Sequence, residues 1–433
     1  MEFPDAETVD AALPERSFPT FARVSYDPET PELDDVRGAA RDAVSSLPLA
    51  AVPAGGTVAV AVGSRGIHAV RAIVETVVAT LSAAGYSPVV VPAMGSHGGA
   101  TADGQRRTLA GLGITEESLG RPVDARLETD IVGTTDRGQD VPVATAALES
   151  DGVVAINRVK PHTNFSGRVE SGLSKLLTVG LGKQAGARAF HEAALTHGYV
   201  DTIERTFDVV REHAPVIGGV AVVENFRDRT ARVEGVAAAD LPGAETRLLE
   251  RARAHLPTLP VDALDVLVVE EIGKDVSGSG MDTNVIGRYG VVNASDPVTP
   301  AVDRIVALGL TEATHGNGHG IGLADLTTTG VAAELDLGRM YTNALTSGSL
   351  SRSAIPVALP TERHALRAAI GTIGQYDPEA ARIAWLRDTG HLSSFRVSEA
   401  LVDDVGDAVT VERRERLRFD HGEAAFVPVG GAE

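Results

Sequence analysis

The sequence predicts an α/β protein of two α/β domains with largely parallel sheets, its site lying in the cleft between them. Three observations lead there. Apolar runs of strand length alternate with stretches of helical periodicity, the order expected of βαβ units. Apolar residues make up 43% of the chain and aromatic residues only 4%, so the core is built mainly from Ala, Val, Leu and Ile, and 46 glycines fit many turns. A Leu256-Pro-Thr-Leu-Pro260 linker interrupts the alternation. With 433 residues there is material for two domains. We expect an N-terminal domain over 1–258 and a C-terminal domain over 259–433, with the last strand free to return to the first domain.

The elements follow in order. Residues 1–54 are acidic and Pro-punctuated, which predicts irregular structure leading into one helix near Asp34–Ser46. Thr57–Val62 is a continuous apolar run, as in a strand buried on both faces of a parallel sheet. After the loop Gly63-Ser-Arg-Gly, His68–Ala84 has helical periodicity and Gly85 closes it. Ser87–Pro92 is the next strand, followed by the loop Ala93-Met-Gly-Ser-His-Gly-Gly-Ala and a helix from about Thr101. Gly152–Ile156 and Val216–Val223 are further buried strands. In the second half, Leu264–Val269 and Ile305–Leu310 read as strands, Thr314–Gly322 as a glycine-rich loop, and Thr361–Thr372 and Glu379–Arg387 as helices.

The formal net charge of −20 argues against nucleic acid and anionic membranes as partners, because both need a basic face. There is no Cys, which removes disulfides, thiolate metal sites and cysteine nucleophiles. The start is acidic, without a basic segment followed by an apolar run, and the longest apolar stretches are strand-sized. A cytoplasmic protein is the expectation.

Only four of the 39 basic Lys and Arg residues are Lys, and Lys160, Lys175 and Lys183 share one stretch while Lys274 lies far on. A lysine kept where Arg serves elsewhere points to an amine that must lose its proton to act as a nucleophile or form a covalent link. The plainer alternative is survival by chance. In open α/β sheets, loops at the carboxyl ends of strands form the ligand crevice. Arg65, His97 and His162 each follow such a strand. Arg65 could hold a carboxylate with its planar fork or be an ordinary loop charge. His97, among small residues that allow close approach, is suited to proton transfer near neutral pH. His162 follows Pro161, which fixes the backbone before it; a ligand, an acid/base and an ordinary polar residue all remain open. His191 and His197 are six residues apart, which is not the four-residue spacing of a zinc-protease helix. His315-Gly-Asn-Gly-His319 has the spacing but reads as a loop, open to ligand contact through its amides or to a metal pair.

Taken together, Gly63-Ser-Arg65, Gly95-Ser-His97, the Asn157-to-Lys183 segment and His191 resemble the nickel-pincer lactate racemase family, in its wider branch of nickel-pincer-dependent isomerases. The resemblance implies nickel held by a pyridinium-3,5-bisthiocarboxylic acid mononucleotide. Lys175 would carry that cofactor covalently, with Lys160 and Lys183 as further cofactor-binding residues, and His191 would ligate nickel. The sixteen residues between Lys175 and His191 agree with the family's spacing. His97 and His162 would be the acid/base pair, with Arg65 and Lys274 on the substrate. The loop Gly273–Asn284 has no clear counterpart to the aromatic and glutamine contacts of the lactate enzymes, so the expected substrate is a 2-hydroxy acid, with lactate one member of the class. The implied partners are that small molecule and the cofactor-making enzymes; homo-oligomerisation stays open.

The residues suit the chemistry on their own account. The C–H bond of a 2-hydroxy acid is not acidic, and a cofactor that accepts hydride avoids deprotonating it. Inversion calls for a base in each substrate orientation, hence two histidines. Nickel is compatible with one imidazole plus a flat three-donor cofactor. Two competing readings are a nicotinamide-dependent 2-hydroxy acid dehydrogenase, for which the G-x-G-x-x-G spacing is missing, and a non-catalytic carrier of a small acid or cofactor.

Overall fold

The computed structural model describes residues 2–64 and 66–430. Two compact units account for the chain. One holds Thr30–His162 and Ser166–Leu256, the other Met1–Glu29, Thr163–Phe165 and Pro257–Glu433. Both are mixed α/β.

The first unit is organised by a five-stranded sheet in the order Ser87–Pro92, Thr57–Val62, Gly152–Arg158, Val216–Glu224, Thr230–Ala237. The first four strands are parallel, and the fifth returns antiparallel. The run Thr-Val-Ala-Val-Ala-Val at 57–62 is buried on both faces because helices cover both. Successive side chains of a strand point to opposite faces. Accordingly Ala59 and Ala61 join one core with Leu173, Leu177, Phe207 and Leu248, while Val58, Val60 and Val62 join another with Ile73, Val77 and Leu81. Each well-buried Val or Leu contributes about 1.5–3 kcal/mol, so a polar residue inside these strands would be tolerated on neither side. The helix Val70–Ala83 forms its expected crossover, and Ala102–Gly111 is capped by the Thr101 hydroxyl accepting from the Gly104 N–H.

The second unit has a nine-stranded sheet. Val357–Leu359, Leu326–Thr328, Ala301–Ala307, Ala263–Val269 and Ile383–Leu386 run parallel. Ser394–Ser398, Thr20–Tyr26, Val409–Asp420 and Glu423–Pro428 follow antiparallel. Here it is the first strand of the chain that sits with the C-terminal residues: Thr20–Tyr26 pairs on both sides with strands from beyond residue 393. Phe21 packs edge-on to Phe426 and Trp385, at ring separations of 5.3 and 6.5 Å. The preceding helix Ala6–Ala12 carries Asp10, which pairs with the buried Arg367.

Three expectations change. Residues 1–54 contain the strand Thr20–Tyr26 and the helix Ala6–Ala12 besides the expected helix, observed as Val36–Ser45. The stretch 379–387 is no helix: Ile383–Leu386 is a wholly buried strand, because Ile, Trp and Leu fill a central sheet position between Ala263–Val269 and Ser394–Ser398. The strand expected at 305–310 spans Ala301–Ala307. Among the described residues no helix is long and apolar enough to cross a membrane.

Candidate functional site

Three parallel strands of the first unit end in register: Val62 pairs with Pro92 on one side and Ile156 on the other. The loops that follow therefore start side by side. The Ser64 hydroxyl hydrogen-bonds the Nδ1 of His97, joining the first loop to the second. Ser64, Gly66, His97, Thr108 and Arg158 line an open cavity of ≈ 500 Å³. Arg158 is ion-paired with Glu224, whose other oxygen accepts the His68 N–H at 2.6 Å. Arg65 lies outside the described residues.

His162 sits in a loop closed at its base by mutual backbone bonds, Lys160 N–H to Ser171 O at 3.0 Å and Ser171 N–H to Lys160 O at 3.2 Å. Inside that loop Glu170 is 1% exposed. One of its oxygens accepts the His162 N–H at 2.5 Å. The other accepts the Gly167 N–H at 2.8 Å and the Arg253 guanidinium at 2.5 Å. A buried carboxylate thus fixes the backbone that carries His162. Lys160 is half-buried and His162 likewise.

Lys175 ends a single turn of helix, Leu173–Lys175, that widens into a π-turn over Leu176–Gly180. Such turns are rare and accompany functional sites. The turn begins at Gly172, where a Cβ would lie 1.6 Å from Glu245 Oε1; only glycine admits that carboxylate. Glu245 is buried, accepts from the backbone N–H and hydroxyl of Ser174, and has its pKa raised by burial above all. The Asn157 amide donates to the Gly172 carbonyl at 2.7 Å, tying the turn to the end of Gly152–Arg158. At the far end, Gly180 accepts the Gly95 N–H at 3.0 Å, and a Cβ there would strike the Ala93 carbonyl at 2.4 Å. The Lys175 turn is thereby packed on the loop of His97.

His191 lies on the helix Lys183–His197. Its ring is open to solvent on one side and set edge-on to Phe190, 5.6 Å between centroids. The crowding on the other side lowers its pKa, and the charge of Lys175 lowers it further. The lowered pKa favours the neutral imidazole, the form that ligates a metal. Among the described residues no three His, Asp or Glu side chains converge, so a metal at His191 would draw its remaining donors from a bound cofactor.

Lys183 points elsewhere. Its amine is interior, donating to the Pro92 carbonyl at 2.6 Å and to Gln105 Oε1 at 3.1 Å. Burial pushes its pKa from 10.5 down to about 8, against the pull of Asp124 and Glu128.

Lys274 belongs to the second unit, where its amine donates to the Gly278 carbonyl at 2.6 Å. Burial and then the Arg352 charge bring its pKa down to about 8. His319 is buried and bonded through Nδ1 to Ser353 at 2.8 Å, with a pKa lowered to about 4 by burial and then by Lys274 and Arg352. His315, by contrast, is exposed.

Glu170, Glu245, Gln105 and Ser64 were not singled out by sequence. The one local signal was a carboxylate set among Val169, Gly172 and Leu173, too apolar a neighbourhood for a solvated acid.

Residues 5–202 match the family model of the lactate racemase N-terminal domain. Among solved structures, the chain is similar to the lactate racemase apoprotein from Thermoanaerobacterium thermosaccharolyticum, with a TM-score of 0.51 and 11% identity, covering 85% of this chain and 98% of that one. At that identity the likeness speaks to the fold. A comparison with curated proteins gives no match.

Proposed function

We propose that this chain, whose residues 5–202 match the lactate racemase N-terminal domain, is a racemase or epimerase of a 2-hydroxy acid that works with a nickel-pincer nucleotide. The observation that carries the reading is the Lys175 turn packed against the loop of His97, with the imidazole of His191 on the helix that follows. A lysine for covalent attachment and one neutral imidazole for the metal are what the cofactor asks of the protein, and the donor set fits. When bound, the cofactor supplies a hydride acceptor for the substrate C–H bond.

The remaining work falls to side chains. His97 exchanges the hydroxyl proton through Nε2, since Nδ1 is engaged by Ser64, and Ser64 holds the ring in its plane. His162 serves the opposite substrate orientation, aimed by the Glu170 cradle beneath its backbone. Arg65 and Lys274 take the carboxylate. A depressed lysine pKa does not remove this charge at neutral pH, because a value of about 8 for Lys274 leaves the ammonium predominant.

The test is intact mass and metal analysis of protein co-expressed with the cofactor-making enzymes, followed by chiral analysis of a panel of 2-hydroxy acids. We expect nickel, a mass addition mapped to Lys175, and interconversion of at least one pair of isomers. A clean unmodified mass without nickel would sink the proposal.

A further inference from the structure

Lys183 is 1% exposed and begins its helix in the left-handed region, at φ +53°. A non-glycine residue held there costs on the order of 1 kcal/mol, so the fold accepts strain to send this side chain inward. What the amine does inside is specific. It donates to the carbonyl of Pro92, the last residue of the strand Ser87–Pro92. It also donates to Gln105 Oε1. Gln105 is itself fully buried and passes the restraint on, its Nε2 donating to the Gly95 carbonyl at 3.0 Å. The Gly95 N–H in turn donates to Gly180, which closes the Lys175 turn. One buried ammonium therefore fixes a carbonyl where the loop leaves the sheet and, through one amide, a second carbonyl two residues before His97. Asp124 and Glu128 supply the opposite charge around it.

The size of the group matters. An ammonium is a compact donor that can sit between two oxygens, whereas a guanidinium presents a wide planar fork. That separates Lys183 from the surface positions where this chain uses Arg.

We propose that Lys183 is a positioning residue: with Gln105 it holds the His97 loop at a fixed distance from the Lys175 turn. The proposal rests on the reading of His97 as an acid/base group only for its catalytic consequence; the latch itself is a statement about the loop.

The experiment compares wild type, Lys183→Met, Lys183→Arg and Gln105→Met by hydrogen–deuterium exchange with mass spectrometry, first on the unloaded full chain. In both Met variants, peptides covering 93–105 should exchange roughly tenfold faster or more, while those of the strand Val216–Glu224 stay as in wild type. Lys183→Arg should not restore protection. Protein co-expressed with the cofactor-making enzymes then gives the second readout. The nickel content and the Lys175 adduct should match wild type, while kcat falls by roughly 10²-fold with little change in KM. Unchanged exchange at 93–105, or a rise spread evenly over the whole domain in both Met variants, would overturn the proposal. So would loss of the Lys175 adduct with the loop still protected, which would make Lys183 a cofactor contact. Should the wild type carry no nickel, the functional reading fails, and the exchange data still decide the latch.

Discussion

Replacing Glu170 by Gln keeps size and shape and removes one charge, which makes it a sharp probe of the cradle under His162. The carboxylate faces three donors and no acceptor: His162 N–H, Gly167 N–H and the Arg253 guanidinium. An amide can offer only one oxygen. If its NH₂ takes the first position, the His162 N–H loses its acceptor; if it takes the second, Gly167 and Arg253 do. Either way a buried donor meets another donor. Leaving one buried donor unsatisfied costs about 1–3 kcal/mol, and a hydrogen bond to a charged group contributes about 1.5–3 kcal/mol. Arg253 is 38% exposed and is solvated in part by water, so we take the lower half of the sum, about 2.5–4 kcal/mol. Urea unfolding of the unloaded chain followed by circular dichroism measures it. Arg253→Met leaves both backbone donors satisfied but strips the buried carboxylate of its counter-ion, and should also destabilise, by about 1–3 kcal/mol. In loaded protein Glu170→Gln should also depress kcat by roughly 10²-fold, since an aiming error near 1 Å has that effect. A Glu170→Gln stability within about 0.5 kcal/mol of wild type would refute the cradle.

Three further outcomes are expected. Lys175→Arg should fold and give no mass addition, and His191→Ala should keep the addition but lose nickel; an adduct surviving Lys175→Arg would refute the attachment site. The Lys183 pKa lies below its ordinary value, so between about 8 and 10.5 the unfolded chain binds the extra proton; its contribution to stability should rise with pH across that window, by roughly 3 kcal/mol at most, and the difference from Lys183→Met measured at several pH values should show it. Asp10→Asn leaves the buried Arg367 without its first carboxylate and should lower Tm. Arg367 holds the Asp10 pKa below 3.8, so the effect should be full above that value and fade as pH falls through the native one, as calorimetry at several pH values would register.

The strand ends beside the candidate site were legible because residues 58–62 and 153–156 are apolar at every position, as a sheet covered on both faces requires. Thr20–Tyr26 was not, because its partners lie some 370 residues away and its polar alternation is weak against an acidic, proline-punctuated background. Ile383–Leu386 was misread for a related reason: a four-residue buried strand has no period of its own, and neighbouring charges imitate a helix. The candidate histidines and lysines were singled out by type and spacing. Their supports were not. Glu245 meets Ser174 across 71 residues and Lys183 meets Pro92 across 91, and a carboxylate or amine that ends in a core looks, in sequence, like one on a surface.

The crossing of the first strand into the last sheet sets an order on biosynthesis. Thr20–Tyr26 leaves the ribosome some 370 residues ahead of both its neighbours in the sheet, which come from residues 394–420. Thr30–Leu256 can close its own sheet during translation, while Thr20–Tyr26 waits for residues 394–420 to be made. A nascent chain therefore carries Thr20–Tyr26 with both strand edges open until residues 394–420 are made to cover them.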